Sequence, residues 1–154
     1  MLRTALLFVM LGLAACQSGP AQTYTLAAPA LASGDALTIV NAARRSKGRS
    51  AMRIDANAQW AAERHAHSMA KAARMAHELP GGPRFSTRME RHGIVTRAAE
   101  NVAAGQRTVA EAVQAWMNSP GHRRNMLDRG FGGVGVASAA GGNGRTYWAM
   151  VLVP

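Results

Sequence analysis

The nine residues from Arg145 to Val153 restrict the possible folds more than any other stretch of the chain. Side chains alternate along an extended strand, so Tyr147, Ala149, Val151 and Val153 share one face while Trp148, Met150 and Leu152 share the other. A strand apolar on both faces has to be covered on both sides. Just upstream, Val134 and Val136 alternate with glycines and Ala137, and Ala139 to Asn143 reads as a small-residue turn between two antiparallel strands. The segments before these strands carry helical periodicity. The expected class is therefore α/β: a three-layer α/β/α sandwich around a small, mainly antiparallel central sheet.

The helices are read from caps and stripes. Asp35 is placed to cap a helix through about Arg45, which ends at Lys47-Gly48 with basic residues in its last turn. Asp55 caps a second helix to about Met75, with an apolar stripe at positions 58, 61, 62, 65, 66, 69, 70 and 73. That stripe contains His65 but not His67, which lies on the polar face, so a straight helix cannot bring both imidazoles to one ion. Leu79 to Pro83 is a loop, Ser86 and Glu90 suit a short helix ending at Gly93, and Thr108 caps a helix to about Asn118. In that last helix Ala112, Val113 and Trp116 face inward and Glu111 faces out, opposite Trp116.

Composition excludes several alternatives. The chain has 154 residues, the length of one domain, and 48% hydrophobic against 17% charged residues is too apolar for a disordered chain. One cysteine cannot build a disulfide framework or a Cys-rich zinc module, so any metal would rest on His and carboxylates. The net charge is +10, but the basic residues fall in small groups such as Arg44-Arg45-Ser46-Lys47 and Arg123-Arg124, with no aromatics interleaved. That pattern gives no stacking platform for nucleic acid. It suits a basic surface among anionic lipid head groups and anionic envelope polymers.

The amino terminus points to export. Arg3 precedes an apolar run from Ala5 to Ala15. A helix of about eleven residues would reach roughly 16 Å, half of a hydrocarbon core of about 30 Å, so this is a leader and not a span. The run ends Leu13-Ala14-Ala15-Cys16, which resembles the bacterial lipobox, in which the cysteine receives acyl chains such as palmitate and becomes the first residue. The expected organisation is a lipoprotein signal peptide over 1–15, a lipidated Cys16 and an uncharged Ala/Pro/Ser/Gly tether over 16–33, and a folded domain over 34–154. Such a chain is exported and held on a membrane of the bacterial envelope through Cys16. Gln17, in place of Asp, agrees with sorting to the outer membrane.

Three residues stand apart from helical periodicity: His77 past the second helix, Glu100 among small apolar residues, and His122 in Trp116-Met117-Asn118-Ser119-Pro120-Gly121-His122. A carboxylate in Glu100's setting has to find charged or hydrogen-bonding partners from elsewhere in the chain, and a histidine is a natural one.

The stretch from Trp116 to Leu127, followed by Gly133-Val134-Gly135-Val136-Ala137 and Tyr147-Trp148, resembles the bacterial branch of the CAP superfamily of cysteine-rich secretory, venom-allergen and plant pathogenesis-related proteins. Asn41-Ala42-Ala43-Arg44, His65 to Ala70 and Glu100-Asn101-Val102-Ala103 agree with it in order, so the resemblance covers about residues 35–153. It implies an α/β/α sandwich with a cleft where two histidines and two acids meet, and in some members the histidines bind a divalent metal. Carried over by motif, the histidines are His77 and His122 and the first acid is Glu100; the second acid's position holds Ser119.

Zn²⁺ or another divalent cation is thus the one cofactor implied, with His77, Glu100 and His122 as the candidate catalytic set. The expected function is an envelope-anchored binding module. The alternative is a metal-dependent hydrolase of cell-wall or peptide substrates, which the missing second carboxylate weakens. A Ser119-His122-Glu100 triad lacks the Gly-x-Ser-x-Gly turn that would expose a nucleophile.

Overall fold

A computed structural model of the chain describes residues 29–154. The expected leader, Cys16 and most of the expected tether lie outside the described residues. In chain order the elements are α1 (Pro29–Ser46), β1 (Arg53–Ile54), α2 (Ala56–Lys71), α3 (Phe85–Arg91), β2 (Ala99–Ala104), α4 (Val109–Asn118), α5 (Pro120–Leu127), β3 (Gly133–Ala140) and β4 (Thr146–Val153). The strands form one sheet in the order β1-β3-β4-β2. Only β1 and β3 run parallel; β4 is antiparallel to both its neighbours.

The two faces of β4 place the layers. Tyr147, Ala149, Val151 and Val153 pack with α2 residues Ala58, Ala62, Ala66 and Met69 and with Met89 of α3. Trp148, Met150 and Leu152 pack on the opposite face with Ala36 and Val40 of α1, Val113 and Trp116 of α4, and Met126 of α5. This is the expected three-layer α/β/α sandwich with a mainly antiparallel sheet.

α2 lies close on the sheet because both surfaces are small. Its buried stripe is alanine apart from His65 and Met69, and a Cβ at Gly135 would run into the backbone of Ala58 and Gln59. Asp55 caps the helix as expected, accepting from the Ala58 N–H at 2.9 Å. The helix stops at Lys71, short of Met75, because Ala73 takes the left-handed conformation (φ 48°) and closes a Schellman-type end with Arg74 N–H on Met69 O at 3.0 Å. Alanine occupies the position where glycine usually signals that turn, so periodicity alone overruns it.

Two further elements differ from the sequence expectation. α1 is already helical at Pro29, so Asp35 sits inside the helix and does not cap it, and Ser33, expected to end the tether, is buried. The reason is the brevity of β1. Beyond Val134 no strand covers the outer edge of β3, and the Ser33 hydroxyl takes that place, donating to Val136 O at 2.8 Å and accepting from Val136 N at 3.1 Å. Gln59 of α2 serves the same two backbone groups, at 3.1 Å each. Helix α5, which carries no separate expectation from the sequence, opens at the Ser119-Pro120 pair with the proline in its first turn, where a missing N–H costs nothing.

The Asn41-x-x-Arg44 spacing has a structural purpose. One helix turn puts both side chains on the face of α1 that meets the loops. Asn41 both accepts from Met52 N (2.8 Å) and donates to Met52 O (3.0 Å). The buried Arg44 guanidinium donates to the carbonyls of Ser50, Met126, Asp128 and Phe131 at 2.7 to 3.0 Å. One cation thereby ties α1 to the end of α5 and the approach to β3.

The close seating of α2 makes Gly135 the most sensitive glycine of the sheet. Gly135→Ala is expected to lower unfolding stability by about 1–3 kcal/mol, the usual cost of overpacking. Gly142→Ala, where nothing lies within 4 Å of the added carbon, should be nearly neutral. Equal chemical-denaturation midpoints for the two variants would contradict the packing described.

Candidate functional site

β2 is an edge strand, and Glu100 lies across from Val151 of β4 on it. The side chain is buried, yet both carboxylate oxygens are met. Arg88 of α3 donates Nη1 to Oε2 at 2.8 Å and Nη2 to Oε1 at 3.0 Å. His77 donates Nδ1 to Oε1 at 2.9 Å, and His65 Nε2 stands 3.6 Å from the same oxygen. Arg88 Nη2 also donates to the His77 carbonyl at 2.8 Å, so one guanidinium fastens the loop after α2 to both α3 and β2. The left-handed turn at Ala73 brings this loop back over its own helix, where His65 Nε2 donates to Ala76 O at 2.9 Å.

The electrostatics follow from these contacts. Burial alone would raise the Glu100 pKa, but the hydrogen bonds from His77 and Arg88 outweigh it and hold the carboxyl below its ordinary range. The hydrogen bond to Glu100 pushes His77 above the ordinary imidazole value against a smaller effect of burial. Burial pushes His65 down, with Glu100 only partly offsetting it. His77 is nonetheless 53% exposed at its side chain, while its Nδ1 is spent on Glu100.

His122 arrives from the opposite layer, on α5. The neighbour of Glu100 on β2, Asn101, is fully buried and fastens that helix: its Nδ2 donates to His122 O at 3.2 Å and its Oδ1 accepts from Asn125 Nδ2 at 2.9 Å. Consecutive residues of one strand therefore secure the two sides of the site, as strand alternation requires. His122 is half-buried, and burial followed by the charge of His77 lowers its pKa. The environments of the two imidazoles thus push them in opposite directions.

His77 and Glu100 are in direct contact, as the sequence suggests, whereas among the described residues no hydrogen bond or ion pair links the His122 ring to either of them. No hydrogen bond among the described residues links Ser119 to His122, and Glu111 faces outward, where it accepts from Arg107 N at 2.8 Å. With the Glu100 side chain 2% exposed and its Oε1 taken by two N–H donors, the three-donor zinc set of His77, Glu100 and His122 does not fit. Among the described residues no group of three or more His, Cys, Asp or Glu is arranged to hold a metal ion. Arg88 is the residue that sequence reasoning missed. The need of a buried Glu100 for a counter-charge was legible, but nothing local to Arg88 in a short, arginine-rich helix marks it above Arg84 or Arg91.

The opposed shifts set the pH behaviour. Stability from His77 is fully present below its unfolded value of about 6.5 and is lost as pH rises through its higher folded value. Stability from Glu100 is present above about 4.3 and lost as pH falls through its lower folded value. His65 and His122 oppose His77, contributing above about 6.5 and losing that contribution as pH falls. In NMR titrations of the ring protons, His77 should titrate above His122, and Glu100→Gln should bring the His77 midpoint down. A His77 midpoint unmoved by Glu100→Gln would show that the pair does not control it.

The comparisons agree with this architecture. Residues 37–152 match the model of the cysteine-rich secretory protein (CAP) family. The chain is 34% identical over 106 residues to YkwD of Bacillus subtilis, a match covering 68% of this chain and 41% of that protein, so it spans about two fifths of that relative's length. An outer surface protein of Borrelia burgdorferi superposes with a TM-score of 0.70 at 17% identity, covering 77% of this chain and 89% of that one. An extracellular SCP-domain protein of Bacillus anthracis gives 0.71 at 23% identity, over 81% and 41% of the two chains. With three layers, a Glu-Asn strand latch and a family match over most of its length, the chain belongs to the CAP superfamily, in its bacterial branch.

Proposed function

We propose that this chain is an exported CAP-domain binding module, anchored in the bacterial envelope through Cys16, whose cleft presents His77 and His122 to a ligand or divalent cation. The observation that carries the reading is the state of Glu100. Its side chain is only 2% exposed and is bound by Arg88 and His77, so the carboxylate positions an imidazole and is closed to water and substrate. A hydrolase of wall or peptide substrates would need such a free carboxylate, and the position where the family's second acid would stand holds Ser119. Export is supported by the leader and lipobox, and by the kinship of the fold with an outer surface protein and an extracellular protein in other bacteria. The basic surface suits anionic lipid and envelope polymer as neighbours.

A cation in this cleft would meet two imidazole nitrogens and water, fewer protein donors than a resident zinc site uses. Zinc titration by calorimetry should give weak 1:1 binding that His77→Ala/His122→Ala weakens by at least about tenfold. The affinity should fall as pH drops, because the raised pKa of His77 makes protons strong competitors for its imidazole. Identical titrations of wild type and double variant would remove the cation from this reading. For the anchor, Cys16→Ala should move the protein from the membrane fraction to the soluble one on expression in a bacterial host; full retention on membranes would rule out lipid attachment as the tether.

A further inference from the structure

The outer side of α2 carries a large aromatic residue and a line of cations. Trp60 is 67% exposed, whereas the other two tryptophans of the chain, Trp116 and Trp148, are 1% and 4% exposed in the core. Counted from Trp60, Arg64 is four residues on and Lys71 eleven, which brings the three within about 40° of one line along the helix. Arg64 and Lys71 are exposed as well. The acid of this helix, Glu63, is turned to Gln59, whose Nε2 donates to it at 2.9 Å.

The neighbouring helix extends the same surface. His92, just past α3, stands edge-to-face with the Trp60 indole at 6.5 Å between centroids, and Arg91 lines with Arg64 the hollow between the two helices. Gly93 lies against the side chain of Asn57, one turn before Trp60, and two residues further on Val95 is 81% exposed. The packing of the domain makes no use of this indole, since the opposite face of α2 covers the sheet. An amphipathic ring among cations is suited to a lipid–water boundary, where the ring sits at head-group level and the cations meet anionic groups.

We propose that this face of α2 docks on an anionic lipid surface, with Trp60 inserted among the head groups and Arg64 and Lys71 against their phosphates. Two features select lipid as the occupant. The first is charge, because a chain of net +10 turns its exposed tryptophan out among cations. The second is the route of the chain. The Ser33 hydroxyl donates to Gln59, the residue before Trp60, so α1 and the segment leading into it join the domain beside this face. In the proposed organisation residues 17–28 separate a lipidated Cys16 from α1, and twelve residues reach at most about 43 Å. A membrane held that close presents its head groups at high effective concentration. The inference rests on the envelope placement given under the proposed function and is independent of the His77–His122 cleft.

The test reads the position of Trp60 in the full chain, purified from a bacterial host and added to phosphatidylcholine/phosphatidylglycerol vesicles with brominated acyl chains. Bromine quenches a fluorophore only at contact, so attachment through a leader or an acyl anchor does not by itself give the signal. Wild-type emission should shift to the blue and be quenched, and Trp60→Phe, which leaves the two core tryptophans, should lose the quenching. Arg64→Ser/Lys71→Ser should cut the quenching several-fold. Arg124→Ser/Arg129→Ser removes the same charge from the opposite layer, beyond a screening length of about 8 Å, and should leave it unchanged. Circular dichroism checks that the variants, altered at exposed positions, keep the wild-type helix content.

Quenching in Trp60→Phe equal to wild type would overturn the assigned face, as would equal losses in the two double variants. Equal quenching on vesicles of phosphatidylcholine alone would overturn the choice of anionic lipid. A dimer in sedimentation velocity without lipid that Trp60→Ser dissolves would give the face to a second copy of the chain and overturn the proposal. Cys16→Ala separates this inference from the anchor. Trp60-dependent quenching in that variant at higher lipid concentration supports the face whatever the fate of the anchor, whereas a wild-type chain held on membranes with Trp60 unquenched keeps the anchor and overturns the face.

Discussion

β4 is apolar on both faces, and the rest of the domain is arranged to keep both faces dry. Tyr147 and Val151 draw α2 onto one side, and Trp148 and Leu152 draw α1, α4 and α5 onto the other. Because β4 takes the centre, β2 and β1 are left as edges, and each edge is completed differently. The short β1 hands over to side chains, Ser33 and Gln59, that satisfy the backbone of Val136. The β2 edge carries the polar residues Glu100 and Asn101, and there the chemistry of the molecule collects.

Placing a carboxylate on a strand buried between layers imposes its own demands. An isolated buried charge is far too costly, so the loop after α2 and the helix α3 are recruited as counter-charge. Arg88 binds both oxygens and also the backbone of His77, and the carboxylate then orients that imidazole. This divides the motif residues by task. Asn41, Arg44 and Asn101 satisfy backbone groups and hold elements in register. Glu100 and Arg88 neutralise each other. His77 and His122 are the motif histidines whose side chains stay partly exposed. The fold achieves this without disulfides, since the chain's one cysteine is at position 16, before the domain.

Arg88 and His65 support the carboxylate in different ways. The Arg88 Nη groups donate to both oxygens of Glu100, while His65 Nε2 donates to Ala76 O and so holds the loop that carries His77 against α2.

Much of this was legible in the sequence. Alternation over 145–153 established a doubly covered strand; the stripe at 58 to 70 identified the buried face of α2; Asp55 and Thr108 were correct caps, because each signal is local and repeats with the period of its element. The apolar run from Ala5 to Ala15 and the lone cysteine are likewise properties of sequence alone. Tertiary structure decided what depends on groups distant in the chain. The start of α1 was set by Ser33 reaching an uncovered edge of β3 more than a hundred residues away, which no local signal encodes. The end of α2 was set by an alanine in a conformation that glycine normally marks. Above all, the sequence determined that Glu100 needed a buried counter-charge, while only the packing of α3 against β2 could select Arg88 among many arginines, since charge pairing is resolved by distance in space and not by position along the chain.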